Sequence, residues 1–145
     1  MHGPPAARSM DVPPPHRGVA DADDRFREAY AAVREAVEAA FPDAAPVEAW
    51  GMVGWQAPRP PEAVPAEPVG TLDPALVFVG LADRKAGPTL HVWHPGAYDL
   101  LDRNAAWLRD AGFKVMKGCL PWTRKAAYPA GTVRRLIEAA RAVDA

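Results

Sequence analysis

Two stretches decide how this chain folds: RKAGPTLHVWHPG at residues 84–96 and KVMKGCLPW at residues 114–122. Each contains a short apolar run that follows a basic, glycine-containing turn, a pattern typical of a β-strand entered through a tight turn. Another apolar run, LVFVGL at residues 76–81, lies just before the first stretch. Strands joined by short connections pair antiparallel. We therefore expect a hairpin across the turn at residues 83–88 and a last strand over residues 114–122.

The segment before these strands predicts one long amphipathic helix. Asp21 or Asp23 is the expected N-cap, since a carboxylate accepts hydrogen bonds from the first backbone N–H groups. The helix should end near Phe41, because the ring and the missing N–H of Pro42 stop its propagation. Its apolar side chains recur at spacings of three and four, which places them in one stripe: Phe26, Tyr30, Val33, Val37 and Phe41.

The remaining segments complete the order α-β-β-β-β-α-β-α. Residues 47–55 predict a first strand or hairpin with two glycines for tight backbone geometry. Residues 97–111 predict a second helix, with Gly112 where a left-handed C-terminal cap is expected, and residues 131–143 predict a third. We therefore expect an α+β fold, in which an antiparallel sheet carries helices mainly on one face.

Two proline-rich segments interrupt this pattern. Residues 1–20 hold five prolines and few large apolar side chains, so burial there cannot offset the entropy cost of ordering the chain. We predict a disordered tail over residues 1–20 and a single domain over residues 21–145. The second segment, residues 57–74, predicts a long exposed loop; its Pro-x-x-Pro spacings leave a partner-binding polyproline stretch as an alternative.

The bulk composition argues against some classes of function but does not identify one. The 145 residues are a one-domain length, and the net charge of -1 argues against a nucleic-acid binder or attraction to acidic membranes. The single cysteine cannot form an intrachain disulfide, which fits a reducing cytoplasm. No apolar run reaches the length of a membrane span, and the N-terminus lacks the apolar centre of a secretory signal. We expect a cytoplasmic protein.

Tryptophan is the strongest functional signal in the sequence. Four of the five tryptophans fall on predicted strands, and Trp107 falls on the second helix. If helices cover only one face of the sheet, some of these rings must line the other face, where exposed aromatic side chains mark a binding site or a subunit contact. The alternative is that they fill a core poor in leucine and isoleucine. The candidate site residues are Trp50, Trp55, Trp93 and Trp122, with Arg84, Lys85, His91 and Lys117 as polar anchors.

Cys119 is the candidate nucleophile. Lys117 lies two residues earlier, so on a regular strand the two side chains share a face, and a nearby ammonium can lower the pKa of a thiol. Two observations favour an inert thiol: no histidine or carboxylate is adjacent in sequence, and Gly118 can break the alternation. Free cysteine is also among the most buried residue types.

Two further patterns invite a metal interpretation. His91 and His94 are three residues apart on one strand, so their side chains point to opposite faces. The first helix carries an acidic stripe, in which Glu28 and Glu35 stand about 10 Å apart along the axis. That separation is too large for one hard cation, which needs converging oxygens. We therefore predict no metal site and a solvated helix face. The stripe consists of Asp24, Glu28, Glu35 and Glu38.

Four motifs in this order resemble the YdhG-like family (domain of unknown function 1801). They are WGM at residues 50–52, FVGLADRK at 78–85, LHVWHPG at 90–96 and KGCL at 117–120. In that family a similar strand precedes a hairpin that leads into a helix, and a lysine-glycine turn opens the last strand. The resemblance covers residues 24–142. It implies a small bacterial α+β domain, usually without an assigned activity, and some relatives are described as frataxin-like iron-handling proteins.

We favour a non-enzymatic cytoplasmic binding module that uses an aromatic sheet face and needs no cofactor. The partner would be a small, partly apolar molecule or another protein, and a homodimer is compatible with the same face. Two alternatives remain open: a frataxin-like iron-handling protein, which follows from the resemblance, and an enzyme with Cys119 as its nucleophile. The expected contacts are Trp50, Trp55, His91, Trp93 and Trp122, with Lys117 as the charge anchor and Cys119 beside it.

Overall fold

The computed structural model describes residues 15–58, 76–93 and 97–142. Within these ranges the chain forms four helices and one five-stranded antiparallel sheet, so the predicted α+β class and element order are confirmed. The elements are α1 Asp24–Ala40, β1 Ala45–Ala49, β2 Met52–Pro58, β3 Leu76–Arg84, β4 Gly87–Trp93, α2 Ala97–Arg103, α3 Ala105–Ala111, β5 Cys119–Pro121 and α4 Ala130–Ala142.

Each strand pairs with its neighbour in sequence, which gives the order β1-β2-β3-β4-β5. The β1–β2 hairpin turns through Trp50 and Gly51, with φ of 53° and 74°. Positive φ at both central residues is what a type I′ turn requires, and that turn matches the twist of the strands. The register places Val53 opposite Leu81 and Trp55 opposite Val79, so these four side chains share one face.

All the helices lie on that face, which we call the inner face. Asp23 caps α1 by accepting a hydrogen bond from the backbone N–H of Phe26 at 2.8 Å. The apolar stripe of α1 and the buried side of α4 pack on the sheet in one large core. Its members include Phe26, Tyr30, Val33 and Val37 from α1, Leu136 and Ile137 from α4, and Trp55, Val77, Val79, Leu81, Leu90, Val92 and Leu120 from the strands.

The opposite, outer face holds a smaller cluster around the ring of Phe78. A Cβ atom at Gly80, on the same strand, or at Gly54, on the next, would lie within 2.9 Å of that ring. Both glycines therefore leave the space in which the ring lies close to the sheet. Met52 and Ala82 are buried beside Phe78, with half-buried Val47 packed against them. The outer face is thus partly closed, rather than an open aromatic platform.

The predicted last strand over residues 114–122 is wrong in its extent. The segment folds back on itself: the N–H of Met116 donates to the carbonyl of Cys119 at 3.0 Å, and the N–H of Lys114 donates to that of Pro121 at 3.3 Å. Gly118 makes this possible, because its φ of 81° is left-handed. Only Cys119–Pro121 pairs with β4.

Three other boundaries need correction. The second predicted helix is two helices, because the chain turns at Asn104, whose side-chain amide donates to the carbonyl of Leu100 at 2.7 Å. The predicted tail is too long, since His16 and Val19 are buried in the core region. The predicted loop at 57–74 starts too early, because β2 runs to Pro58. The rest of that loop, from residue 59 on, lies outside the described residues, as do residues 1–14.

In the part of the chain that the structure describes, no helix has the length and apolar character that a membrane crossing needs.

Candidate functional site

Two of the predicted contact residues, Trp55 and Trp122, lie in the core and cannot line an exposed face. Trp55 is 2% exposed on the inner face, with its ring 4.8 Å from that of His16 and 5.5 Å from that of Tyr30. Trp122 is 3% exposed, and its ring lies 5.1 Å from that of Phe113. Strand alternation separates Trp55 from the outer face. The expectation that they join one aromatic surface is therefore wrong.

His91 and Cys119 are brought together on the outer face, because their Cα atoms are register partners across β4 and β5. Arg84 acts on both through its charge. Lys85 and Lys117 are exposed residues of two different turns. The predicted polar anchors are therefore only partly assembled. Arg84, His91 and Cys119 are neighbours, whereas Lys85 and Lys117 lie in two separate turns.

Trp93 and His94 need separate mention. The backbone of Trp93 pairs with Phe78, which places the residue on β4 at the register position beside that ring. Its side chain and all of His94 lie outside the described residues.

The electrostatics around Cys119 favour an unreactive thiol. Burial raises the pKa of the thiol above its ordinary value, and the nearby charge of Arg84 only opposes that rise. Burial also lowers the pKa of His91 from its ordinary 6.5, and the charge of Arg84 lowers it further. A nucleophile needs the thiolate. This pair therefore presents a neutral thiol beside a neutral imidazole near pH 7.

The acidic stripe of α1 is engaged in structural contacts. Glu28 accepts a hydrogen bond from the backbone N–H of Tyr128 at 3.2 Å. Of the other three carboxylates, Asp24 pairs with Arg27, Glu35 with Arg134 at 3.0 Å and Glu38 with Arg34 at 3.1 Å. Among the described residues no group of three or more His, Cys, Asp or Glu side chains could hold a metal ion.

His16 is a structural residue that sequence reasoning missed. It is 4% exposed, although it follows three prolines in a segment with little apolar content. One ring nitrogen, Nε2, lies 2.7 Å from the carbonyl oxygen of Gly54, and Nδ1 lies 2.7 Å from the hydroxyl of Tyr30. The carbonyl can only accept, so Nε2 carries a proton. Burial raises the pKa of Tyr30 to about 12, which keeps its hydroxyl neutral.

A cavity of about 480 Å³ opens directly beside this anchor, at the end of the sheet where β1 turns into β2. One wall is the N-terminal arm, residues 17–19, which His16 holds against the sheet. The start of α1 forms the second wall, and the β1–β2 turn with the end of β3 forms the third. The lining residues are Arg17, Gly18, Val19, Ala22, Phe26, Glu48, Ala49, Trp50, Gly51, Met52, Val53, Leu81 and Asp83.

Trp50 is the conspicuous residue at this cavity. It is 55% exposed, and its ring meets that of Phe78 edge to face at 5.1 Å between centroids. Its φ of 53° lies in the left-handed region, and in the described part of the chain no other residue except glycine has a positive φ. The first position of a type I′ turn favours Asn, Asp or Gly, because a bulky side chain is strained there. The sequence signal was the dipeptide Trp-Gly in a place where Asn-Gly is usual.

Comparison with protein-family models, with curated proteins and with solved structures finds no match to this chain. The resemblance to the YdhG-like family therefore stays a prediction, and so does the iron-handling role that it implies.

Proposed function

We propose that the protein is a non-enzymatic, cytoplasmic binding module for a small, partly apolar molecule, and that the ligand occupies the cavity beside the β1–β2 turn. One observation carries this proposal: a large, half-exposed tryptophan is held in a left-handed conformation where the chain lines the cavity. The proposed site is therefore at the end of the sheet where β1 turns into β2, and not on the outer face that the sequence predicts. Of the predicted contact residues, Trp50 is the one that lines this cavity.

The backbone conformation of Trp50 supports a role beyond folding. A left-handed conformation costs a residue with a Cβ roughly 1–2 kcal/mol. The edge-to-face contact with Phe78 contributes about 0.5–1.5 kcal/mol against that cost. Asn or Gly would form the same turn without strain. Strain of this kind is found at ligand-binding positions, where a particular side chain is needed at a particular place.

The volume of the cavity is compatible with a small-molecule site. Its volume falls within the range of roughly 300–1,000 Å³ that such sites occupy. Half-buried Ala22 and Val53 supply apolar surface to the cavity, and three charged residues stand among the lining residues. That mixture suits a ligand with an apolar body and a polar end.

The binding interpretation is favoured over the catalytic one by the state of Cys119. A raised thiol pKa lowers the thiolate fraction at neutral pH, and a protonated thiol is a poor nucleophile. The iron-handling alternative has less support from the described residues, because the four carboxylates of its acidic stripe are occupied by ion pairs or by a backbone N–H.

The proposal is tested with a neutral probe that resembles only the apolar part of a ligand. We would titrate 2-phenylethanol into uniformly ¹⁵N-labelled protein and follow the backbone amide shifts. A molecule of this size binds a suitable cavity with a Kd of about 1 mM or tighter. Saturable shifts should cluster on the residues that line the cavity, at positions 17–19, 22, 48–53, 81 and 83.

A change at the edge of the cavity provides the matched comparison. Trp50→Ala should weaken the probe at least about fivefold, since a buried aromatic contact contributes about 1 kcal/mol. Trp107→Ala is the control, because Trp107 lies on α3, packs under Arg135 at 4.0 Å and does not line the cavity. Shifts scattered over the surface, or equal losses in the two variants, would contradict the proposed site.

A further inference from the structure

One row of side chains across the outer face brings together three different metal-binding groups. His91 on β4 and Cys119 on β5 are register partners, and Cys119 is also bridged to Met116 across the turn at residues 117–118. Register partners in an antiparallel sheet carry their side chains on the same face. An imidazole, a thiol and a thioether therefore follow one another in a single line. The sequence alone does not predict this row, because the reversal of the chain that brings Met116 beside Cys119 depends on tertiary packing.

The backbone hydrogen bonds of Cys119 set the spacing of the row. Its N–H donates to the carbonyl of Met116 at 3.4 Å, and its carbonyl accepts from the N–H of Met116 at 3.0 Å. Both backbone groups of Cys119 are thereby directed towards Met116, so Cys119 and His91 form a non-hydrogen-bonded pair. Such pairs have Cα atoms about 4.5 Å apart, against about 5.5 Å for the hydrogen-bonded kind. The imidazole and the thiol are thus at the closer spacing, and the flexible side chain of Met116 can span the wider one.

The row is open to solvent at one end. His91 and Cys119 are half-buried, whereas Met116 is 44% exposed and lies where the chain reverses. An ion can therefore reach the three side chains from the Met116 side while the strand pairing of β4 and β5 stays intact.

The donor set indicates the class of metal. Thiolate and thioether ligands select soft ions such as Cu(I), and imidazole also suits copper. Structural zinc sites use four tetrahedral ligands, and hard cations need several converging oxygens; these three side chains supply neither. The charge of Arg84 acts on both His91 and Cys119, and it repels a divalent ion more strongly than a monovalent one.

We propose that His91, Cys119 and Met116 form a binding site for a single Cu(I) ion on the outer face of the sheet. The ion replaces the proton of the Cys119 thiol, which passes to solvent, so the metal–thiolate unit carries no net charge. Copper enters and stays as Cu(I), and no electron is transferred. The site is separate from the cavity at the β1–β2 turn, so its success or failure is independent of the proposed ligand site.

The first test uses Ag(I), a soft monovalent ion that needs no protection from oxidation. Protein labelled with ¹³C at the methionine methyl groups is titrated with Ag(I) in chloride-free buffer. The methyl signal of Met116 should shift and saturate at one ion per chain. The signal of Met52, which is buried on the same face outside the row, should stay unchanged. Native mass spectrometry should then show one Cu(I) ion, supplied anaerobically with ascorbate, and no Zn(II) at the same concentration.

Met116→Leu is the decisive variant, because Met116 is exposed and its replacement should leave the fold intact. Loss of a ligand should weaken Cu(I) at least about tenfold, measured by competition with a Cu(I)-specific chelator. His91→Gln should also weaken it, and Met52→Leu is the matched control that should keep the wild-type affinity. Unchanged affinity in Met116→Leu would show that the thiol of Cys119 binds without the row, and would overturn the site. Zn(II) bound as tightly as Cu(I) would overturn the metal class, and no binding of either soft ion would overturn both.

Discussion

The two ends of the sheet each present a tryptophan, and they use it in opposite ways. At the β5 end, Trp122 is buried against Phe113 and Tyr128, and its indole N–H donates to the carbonyl of Ala126 at 3.3 Å. Arg25, from the start of α1, donates to the backbone carbonyl of Trp122 at 3.1 Å. Gly87 packs so closely that a Cβ there would lie 2.1 Å from that carbonyl oxygen. This corner is closed and well packed.

At the β1–β2 end, Trp50 stands half-exposed in a left-handed turn beside a cavity. Good packing stabilises the first tryptophan, whereas the second is strained and only partly covered. This difference supports the proposal that the Trp122 corner serves folding and that the Trp50 corner serves binding.

Trp122→Ala should have the largest effect on stability. Removing a buried tryptophan from a packed cluster costs about 3–5 kcal/mol of unfolding free energy, measured by urea denaturation followed by circular dichroism. Trp107→Ala is the matched control and should cost less, since Trp107 is half-buried. A loss below about 1 kcal/mol for Trp122→Ala would break the distinction between the two corners.

His16→Phe should come next, because it removes the anchor of the arm that walls the cavity. The carbonyl of Gly54 and the hydroxyl of Tyr30 would each lose a partner in the interior, at a cost of about 1–3 kcal/mol for a buried polar group. Amides of residues 17–22 should lose protection from hydrogen exchange, and binding of the neutral probe should weaken.

Tyr30→Phe distinguishes the contributions of the two hydrogen bonds of His16, since it removes the Tyr30 hydroxyl and keeps the contact with the carbonyl of Gly54. It should destabilise the protein less than His16→Phe and keep the arm protected. Full protection of the arm in His16→Phe would show that other contacts hold it, and would contradict the anchoring role of His16.

The pH dependence of stability tests the outer face that lies between the two corners. Burial, followed by the charge of Arg84, lowers the pKa of His91 below 6.5 in the folded state. The unfolded chain then binds the proton more readily, so this residue's contribution is present above pH 6.5 and is lost as the pH falls below it. His91→Gln should flatten the fall in unfolding free energy between about pH 7.5 and about pH 5.5. An unchanged slope would contradict the burial of this imidazole.

Cys119 should give the smallest effect. Burial raises the pKa of its thiol, so iodoacetamide should alkylate it more slowly at pH 7.5 than it alkylates a short unstructured cysteine peptide. The rate should keep rising as the pH increases through about 8.5, because the thiolate fraction is still growing. Rapid alkylation, with a rate that no longer increases with pH above neutral pH, would indicate a thiolate. It would support the alternative in which Cys119 is a nucleophile.

Much of the fold could be predicted from local patterns. The apolar stripe of α1, its cap at Asp23 and the β3–β4 hairpin each follow from the spacing of a few neighbouring residues. The turn at Gly118 could not, because a lysine-glycine pair fits both a strand entry and a reversal, and tertiary packing decides between them.

The site was harder to predict, because it depends on which face each tryptophan occupies. Trp55 lies on the inner face of the sheet and Trp50 lies in the β1–β2 turn, although both come from one short stretch of sequence. His16 was missed because its partners, Tyr30 and Gly54, are 14 and 38 residues away in sequence. Neighbouring residues therefore carried no sign of its burial.

The most direct test of the account replaces Trp50 with asparagine, the residue that a type I′ turn before glycine prefers. Trp50→Asn should lower the unfolding free energy by less than Trp122→Ala does, because relief of backbone strain opposes the loss of ring contacts such as that with Phe78. The same variant should weaken the binding of 2-phenylethanol at the cavity at least about fivefold. Stability retained with binding lost is the predicted result. A large loss of stability with unchanged probe binding would show that Trp50 serves the fold, and would contradict the assignment of this corner to binding.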